Sequence, residues 1–462
     1  MAANSSIPTE LGTERIGKLL KQYALPAIIA QTAASLYNMV DSIFIGQGVG
    51  PLAISGLAVT FPLMNLSTAF GTLVGAGAAT MLSVLLGQKN YKAANKVLGS
   101  VVGLNILIGF IFMAVALVFI DPILYFFGAS ENTLPYAKEY IRIILYGNII
   151  THLYFGLNAA MRSSGSPKKA MGLTIFTVLF NTILDPIFIF VFDMGIAGAA
   201  WATVIAQTAA MCVVLHHFSN RSRPFHFDRS MLKIDLRVAK DSLAIGMGPF
   251  LMNAAACLVT LFINQQLRRY SGDLGIGAYG ICNRFIFMFI MICMGLNQGM
   301  QPIAGYNYGA RKYSRVKEVF WRTAAMGTAM TTICFIIGVF IPELAVGIFT
   351  HDEELVALSA KALRILTIAF PIVGFQMIAT NFFQSLGMVK KSIILSLSRQ
   401  ILFLLPLLYA LPLMLDADGV WISYPISDTL ATILTIFMLG RLFKKFNRLN
   451  DGDDPGILGS NL

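Results

Sequence analysis

The chain has 462 residues, of which 56% are hydrophobic and only 12% charged, with a formal net charge of +11. A soluble domain carries about 25% charged residues. The mean hydropathy of +0.71 and recurring apolar runs of bilayer-spanning length exclude the soluble classes and predict an all-α polytopic membrane protein. Residues 1–18 are polar and the first apolar run is full length, so no cleavable leader is expected.

Twelve spans are predicted. Span one (23–45) contains Pro26, which removes a helical hydrogen bond and marks a bend, and Asp41 in its outer part. Span two (54–86) includes the glycine-rich stretch 71–77, which suits close helix contact. Spans three (97–120) and four (140–161) follow, the latter with His152, read as a buried neutral histidine. Span five (170–192) carries Asn181 and Asp185, four residues apart and so on one helix face. Span six (199–215) has Thr203 early in its course.

The charged connection 217–240 joins the two halves. Its apolar positions Met231, Leu232, Ile234, Leu236 and Val238 suit either a membrane-surface segment or a solvated linker. The second half has spans at 243–267, 276–305, 324–341, 362–383, 393–415 and 420–442. Gly275, Gly277 and Gly280 match GxGxxG, but they open an apolar span with no preceding strand, so a dinucleotide site is rejected. Arg284, Arg399 and Asp428 lie inside second-half spans, either pairing to hold that half together or binding substrate. The five cysteines all sit in apolar runs and form no CxxC pair, so they read as packing residues.

The halves repeat. From Ile54 to Lys169 the chain matches a later stretch without gaps: Ile54 with Ile276, Gly77 with Gly299, Gly87 with Gly309, Tyr91 with Tyr313, Arg142 with Arg364, and Gly165 with Gly387. The expected organisation is a first lobe (1–216), a linker (217–240) and a second lobe (241–462). Six spans per half bring both lobes in and out on one side, which implies a pseudo-twofold axis along the membrane normal. Basic residues crowd alternate connections, among them Lys89, Lys92 and Lys96, then Lys168 and Lys169, then Arg311 and Lys312. The opposite side has only Lys138, Arg268, Arg269 and Lys361, with many acids. The basic side is therefore expected to be cytoplasmic, with both termini there. This partition accounts for the net charge without a nucleic-acid partner.

An ionisable residue within a span marks an ion pathway by default. By the depths of their spans, Asp41, Asn181, Asp185 and Thr203 converge toward the outer face of the first half. The competing reading places each Asp near a helix end, reaching water, with Asp185 before Pro186 as a helix-break residue.

Span one with Pro26 and Asp41, the Gly87-Gln88-Lys89 turn, and its partner run from Gln301 to Ala310 resemble the MATE (multidrug and toxic compound extrusion) family, in its bacterial DinF- and MepA-like branch. The resemblance covers essentially the whole chain. It implies two six-helix lobes around a central cavity, and export of cationic amphipathic compounds driven by inward H+ or Na+. It also implies that Asp41, Asn181, Asp185 and Thr203 form the first-lobe cation site, and that Tyr37 and Asn158, with Asp41 and Asp185, line that lobe's cavity. The sequence departs from the sodium-coupled NorM-like pattern, because spans seven and ten offer Asn253, Asn264, Gln376 and Asn381 in place of carboxylates.

The expected protein is thus a secondary antiporter in a bacterial inner membrane. It is not an enzyme, has no cofactor besides the coupling ion, and works as a monomer on small cationic substrates. No Walker motif is present. A lipid-linked oligosaccharide flippase of the same superfamily is the alternative. Asn264 stands opposite Asp41 in the repeat, and Ile401 and Leu405 stand opposite Asn181 and Asp185, so the scaffold is duplicated but the carboxylates are not.

Overall fold

The computed structural model describes residues 9–220, 225–227, 235–349 and 352–453, and among them nearly every residue is helical. The first half contains α1 (Ile16–Gly48), α2 (Pro51–Gly87), α3 (Tyr91–Val118), α4 (Ile120–Phe126), α5 (Leu134–Tyr146), α6 (Asn148–Ser163), α7 (Pro167–Pro186) and α8 (Gly195–Ser219). A π-helical segment, Ile187–Val191, continues α7. The second half contains α9 (Leu236–Gly309), α10 (Tyr313–Phe340), α11 (Pro342–Gly347), α12 (Glu353–Thr367), α13 (Phe370–Ser385), α14 (Val389–Leu397), α15 (Leu405–Ala410) and α16 (Pro412–Phe446). A second π segment, Ser398–Leu404, links α14 to α15.

Nine helical stretches among the described residues are long and apolar enough to cross a membrane, or ten if α12 and α13, bent by 54°, count as one broken span. Helix α1 and the pair α5–α6 occupy the places of predicted spans one and four and are not among those ten. Predicted span four is two helices meeting at Gly147, where a Cβ would press on the Val204 side chain at 2.6 Å. Spans seven and eight are both longer than predicted and meet at Gly272, whose φ of 61° and ψ of −155° interrupt α9. Of the predicted linker, Leu236 to Lys240 already belong to α9, while Met231, Leu232 and Ile234 lie outside the described residues. Just before α9, Asp235 accepts from Lys96 Nζ at 3.0 Å. That bond, with backbone N–H groups of Val238 and Arg237, holds its carboxyl below the usual carboxylate range.

The repeat is visible in the backbone as well as in residue type. Positive φ occurs at matched positions: Gly50 and Gly272, Lys89 and Arg311, Gly165 and Gly387, Asp193 and Asp416. Two of these pairs are not glycine, so the left-handed turn is imposed by the fold rather than merely permitted by the residue.

Two units form, and each takes one helix end from the other half of the chain. One unit comprises residues 9–13 and Ile29–Phe250; the other comprises Glu14–Ile28 and Leu251 onward. The changeover in α1 falls just after Pro26, and that in α9 just after Pro249. In the first unit the opening turns of α9 lie hard against α2: a Cβ on Gly77 would overlap the Ser242 carbonyl, and one on Gly246 the Leu73 carbonyl. In the second unit the opening turns of α1 lie equally hard against the later part of α9, at Gly299 with Ala24 and at Gly295 with Ile28. Without a hydrophobic drive between helices in lipid, such backbone-to-backbone fit is what binds them. Large apolar side chains such as Leu179, Ile183, Val118 and Ile433 are exposed, as lipid-facing positions should be.

Candidate functional site

Helix α1 carries Asp41, α7 carries Asn181 and Asp185, and α8 carries Thr203, all within the first unit. All four are buried; Asp185 has no exposed surface and Asp41 only 5%. Close packing holds these helices together. Gly48 at the end of α1 lets Ile189 and Phe190 of the π segment approach, and Gly198 of α8 lets Phe188 approach from the other side. Ile45, Ile189, Ile196, Ala199, Ala200 and Tyr140 belong to one apolar cluster beneath the site. Pro186 directly follows Asp185 and lacks an N–H. The wider π turn begins at the next residue, a common setting for functional groups.

Asn181 Nδ2 donates to Asp185 Oδ1 at 2.7 Å. Asp185 also senses the charge of Asp41. Thr203 Oγ1 donates to the Ala199 carbonyl at 3.1 Å, the usual way a hydroxyl is satisfied within a helix. Asp41 Oδ1 and Asp185 Oδ2 are buried with no hydrogen-bond partner among the described residues. A buried carboxylate oxygen left unsatisfied costs at least about 1–3 kcal/mol, and two such groups within electrostatic reach of each other favour a compensating cation. A proton would satisfy one oxygen directly. A hard metal cation would find carboxylate, amide and hydroxyl oxygens of the kind it prefers.

Tyr140 of α5 completes this cluster. It is buried, engages the Thr203 hydroxyl, and lies within electrostatic reach of both Asp41 and Asp185. Sequence reasoning missed it, because a single tyrosine in an apolar run carries no spacing signal. Asn158 lies deeper, on α6, where its Nδ2 donates to the Ala170 carbonyl at 3.2 Å. Tyr37 lies in α1, with its side chain outside the described residues. Helix α1 remains helical through Pro26.

In the second unit Arg399, on the π segment, pairs with Asp428 of α16, with Nε to Oδ1 at 2.6 Å. Asp428 Oδ2 has no partner among the described residues. Ser427 Oγ donates to the Arg399 carbonyl at 2.7 Å, and the hydroxyls of Tyr279 and Tyr424 meet nearby at 3.0 Å. Arg284 does not join this cluster: it is exposed on α9 and makes no ion pair among the described residues. Of the two readings its sequence position offers, pairing within the second half finds no ion pair for it among the described residues. Asn264, the repeat counterpart of Asp41, instead lines a cavity of about 670 Å³ with Gln265, Gln266, Arg268, Arg269 and Tyr409.

Among known proteins, the MatE family model matches twice, at residues 26–187 and 249–410, one match in each half and each beginning at a proline. Multidrug export protein MepA of Staphylococcus aureus (strain MRSA252) is 28% identical over 425 residues, covering 91% of this chain and 94% of the relative. MepA of Staphylococcus haemolyticus is 27% identical, with 92% and 93% covered. The MATE multidrug transporter DinF-BH, whose structure was solved as a ligand complex, is 35% identical, covers 95% of this chain and 98% of its own, and superposes with a TM-score of 0.88. An outward-facing MATE family transporter of the MOP superfamily, at 22% identity and TM-score 0.88 with 96% and 99% covered, shares the fold.

Proposed function

Because the chain belongs to the MatE family, we propose that it is a secondary multidrug antiporter. It exports small cationic amphipathic compounds in exchange for inward H+ or Na+, and the ion binds at Asp41, Asn181, Asp185 and Thr203. The observation that carries this reading is the pair of buried carboxylates on separate helices, each with an unpartnered oxygen. An ion and a cationic substrate that both seek this negative charge oppose each other's binding, and that opposition is reciprocal. Alternating access then turns the opposition into exchange. The names of the relatives, a multidrug export protein for MepA and a multidrug transporter for DinF-BH, support the same reading. The basic connections support a plasma-membrane protein with cytoplasmic termini, and the Arg399–Asp428 pair is assigned to holding the second unit together.

The test is export of tetraphenylphosphonium from proteoliposomes under an imposed proton or sodium gradient. Wild-type protein should respond to one gradient, and Asp41→Asn and Asp185→Asn should each abolish that response. Full gradient-driven export by both variants would remove the coupling site.

A further inference from the structure

Inward of the carboxylates, the seam between α6 and α7 carries a row of polar side chains that extends beyond the coupling site. On α7 the residues Thr174, Thr177, Asn181 and Asp185 recur at intervals of three and four and share one face. The opposite face, with Phe176, Leu179 and Ile183, is exposed and apolar. On α6 the residues Tyr154, Asn158 and Arg162 recur every four. Tyr154 is buried, and its hydroxyl lies 3.3 Å from Thr177 Oγ1 and 3.4 Å from Thr174 Oγ1. It also engages Asn158 and senses the charge of Arg162. From Asp185 to Thr174 this row spans about 16 Å of helix and leads toward the turn with Lys168 and Lys169.

The threonines do not need the tyrosine. Thr177 Oγ1 already donates to the Leu173 carbonyl at 2.8 Å and Thr174 Oγ1 to the Ala170 carbonyl at 3.2 Å. A hydroxyl has one proton to give and two lone pairs to accept with. Each threonine can therefore serve its carbonyl or Tyr154, and the three hydroxyls have more than one mutually consistent arrangement. Such a set passes a proton by exchange.

We propose that the α6–α7 seam is the route by which a proton leaves the carboxylate site toward the Lys168–Lys169 end, a reading that rests on the coupling role given to Asp41 and Asp185. An arriving proton bonds to Thr177 Oγ1, which yields its own to Tyr154; Tyr154 yields its own to Thr174, and Thr174 to water at the inner end. Each oxygen takes one proton and releases one, so none stays charged. The route is interrupted in this structure: Asn181 donates to Asp185, and no hydrogen bond joins it to Thr177 among the described residues. That break keeps the site from leaking and closes when the proton is to be released.

The test uses full-length Tyr154→Phe and Thr177→Val in proteoliposomes, beside Asp185→Asn. Proton-gradient-driven tetraphenylphosphonium export should slow by about tenfold or more in each, because the row loses a hydroxyl that must take one proton and give another. Binding of the same probe to detergent-purified protein should stay within about twofold of wild type. The solvent deuterium isotope effect on transport should rise, which a purely structural role would not produce. Wild-type rates for Tyr154→Phe and Thr177→Val with Asp185→Asn inactive would overturn the route alone. Full gradient-driven export by Asp185→Asn would overturn the coupling site and the route with it. If Tyr154→Phe fails to fold, Thr177→Val alone decides.

Discussion

Asn181 Nδ2 donates to Asp185 Oδ1 at 2.7 Å, one helical turn apart, while Asp185 Oδ2 has no partner among the described residues. Asparagine thus supports the charged carboxylate on one side and leaves the other side for a cation. Removing it in Asn181→Ala withdraws a charge-assisted bond worth about 1.5–3 kcal/mol. The bare carboxylate then holds a proton more tightly. Export turnover should fall by roughly tenfold or more, while the gradient needed for half-maximal rate becomes smaller, as measured by initial export rates across a series of imposed gradients.

Tyr140→Phe keeps the ring that fills the apolar cluster and removes only the hydroxyl that reaches Thr203. Export driven by the gradient should fall by about threefold to tenfold, matching the loss of one buried hydrogen bond of about 0.5–1.5 kcal/mol. The melting temperature in detergent should stay close to wild type.

Gly77→Ala and Gly246→Ala each place a methyl group into a backbone carbonyl, Ser242 in one case and Leu73 in the other. A backbone cannot rotate away as a side chain can, so each change should cost at least about 1–3 kcal/mol and lower the yield of monodisperse protein. Gly172→Ala is the control. It meets nothing within 4 Å and lies in a helix, where alanine is preferred, so its thermal melt should match or exceed wild type.

Arg399 and Asp428 differ in exposure, 21% against 2% at the side chain. Arg399→Met leaves a buried carboxylate alone and should cost about 3–5 kcal/mol. Asp428→Asn keeps a side-chain oxygen that can accept from Arg399 and should cost less. Combining Arg399→Met with Asp428→Leu should recover most of the loss, because paired apolar replacements are often neutral. A double-mutant cycle of melting temperatures measures the coupling, and export by the double variant checks that the pair is structural.

The repeat and the apolar runs were legible because both are contiguous: residue type recurs at a fixed spacing, and a bilayer demands unbroken length. The acids stood out because charge is costly in lipid. Tyr140 was not legible, since its role depends on where α5 lies beside α8, and no local pattern encodes that. Nor was the joint at Gly147, because it falls inside continuous helical composition, whereas the break at Gly272 falls in the connection expected between spans seven and eight. Arg284 lies on an exposed face of α9 and does not join the Arg399–Asp428 pair, a placement that no local pattern encodes.

The exchange of helix ends between the units sets an order of assembly. The first unit cannot close when its own spans have been made, because it still lacks residues 236–250, which follow the connection between the halves. Glu14–Ile28, among the earliest residues to leave the ribosome, belong against helices synthesised far later. The newborn chain must therefore hold the opening turns of its first helix unengaged for most of its synthesis, and the two halves mature together rather than in turn.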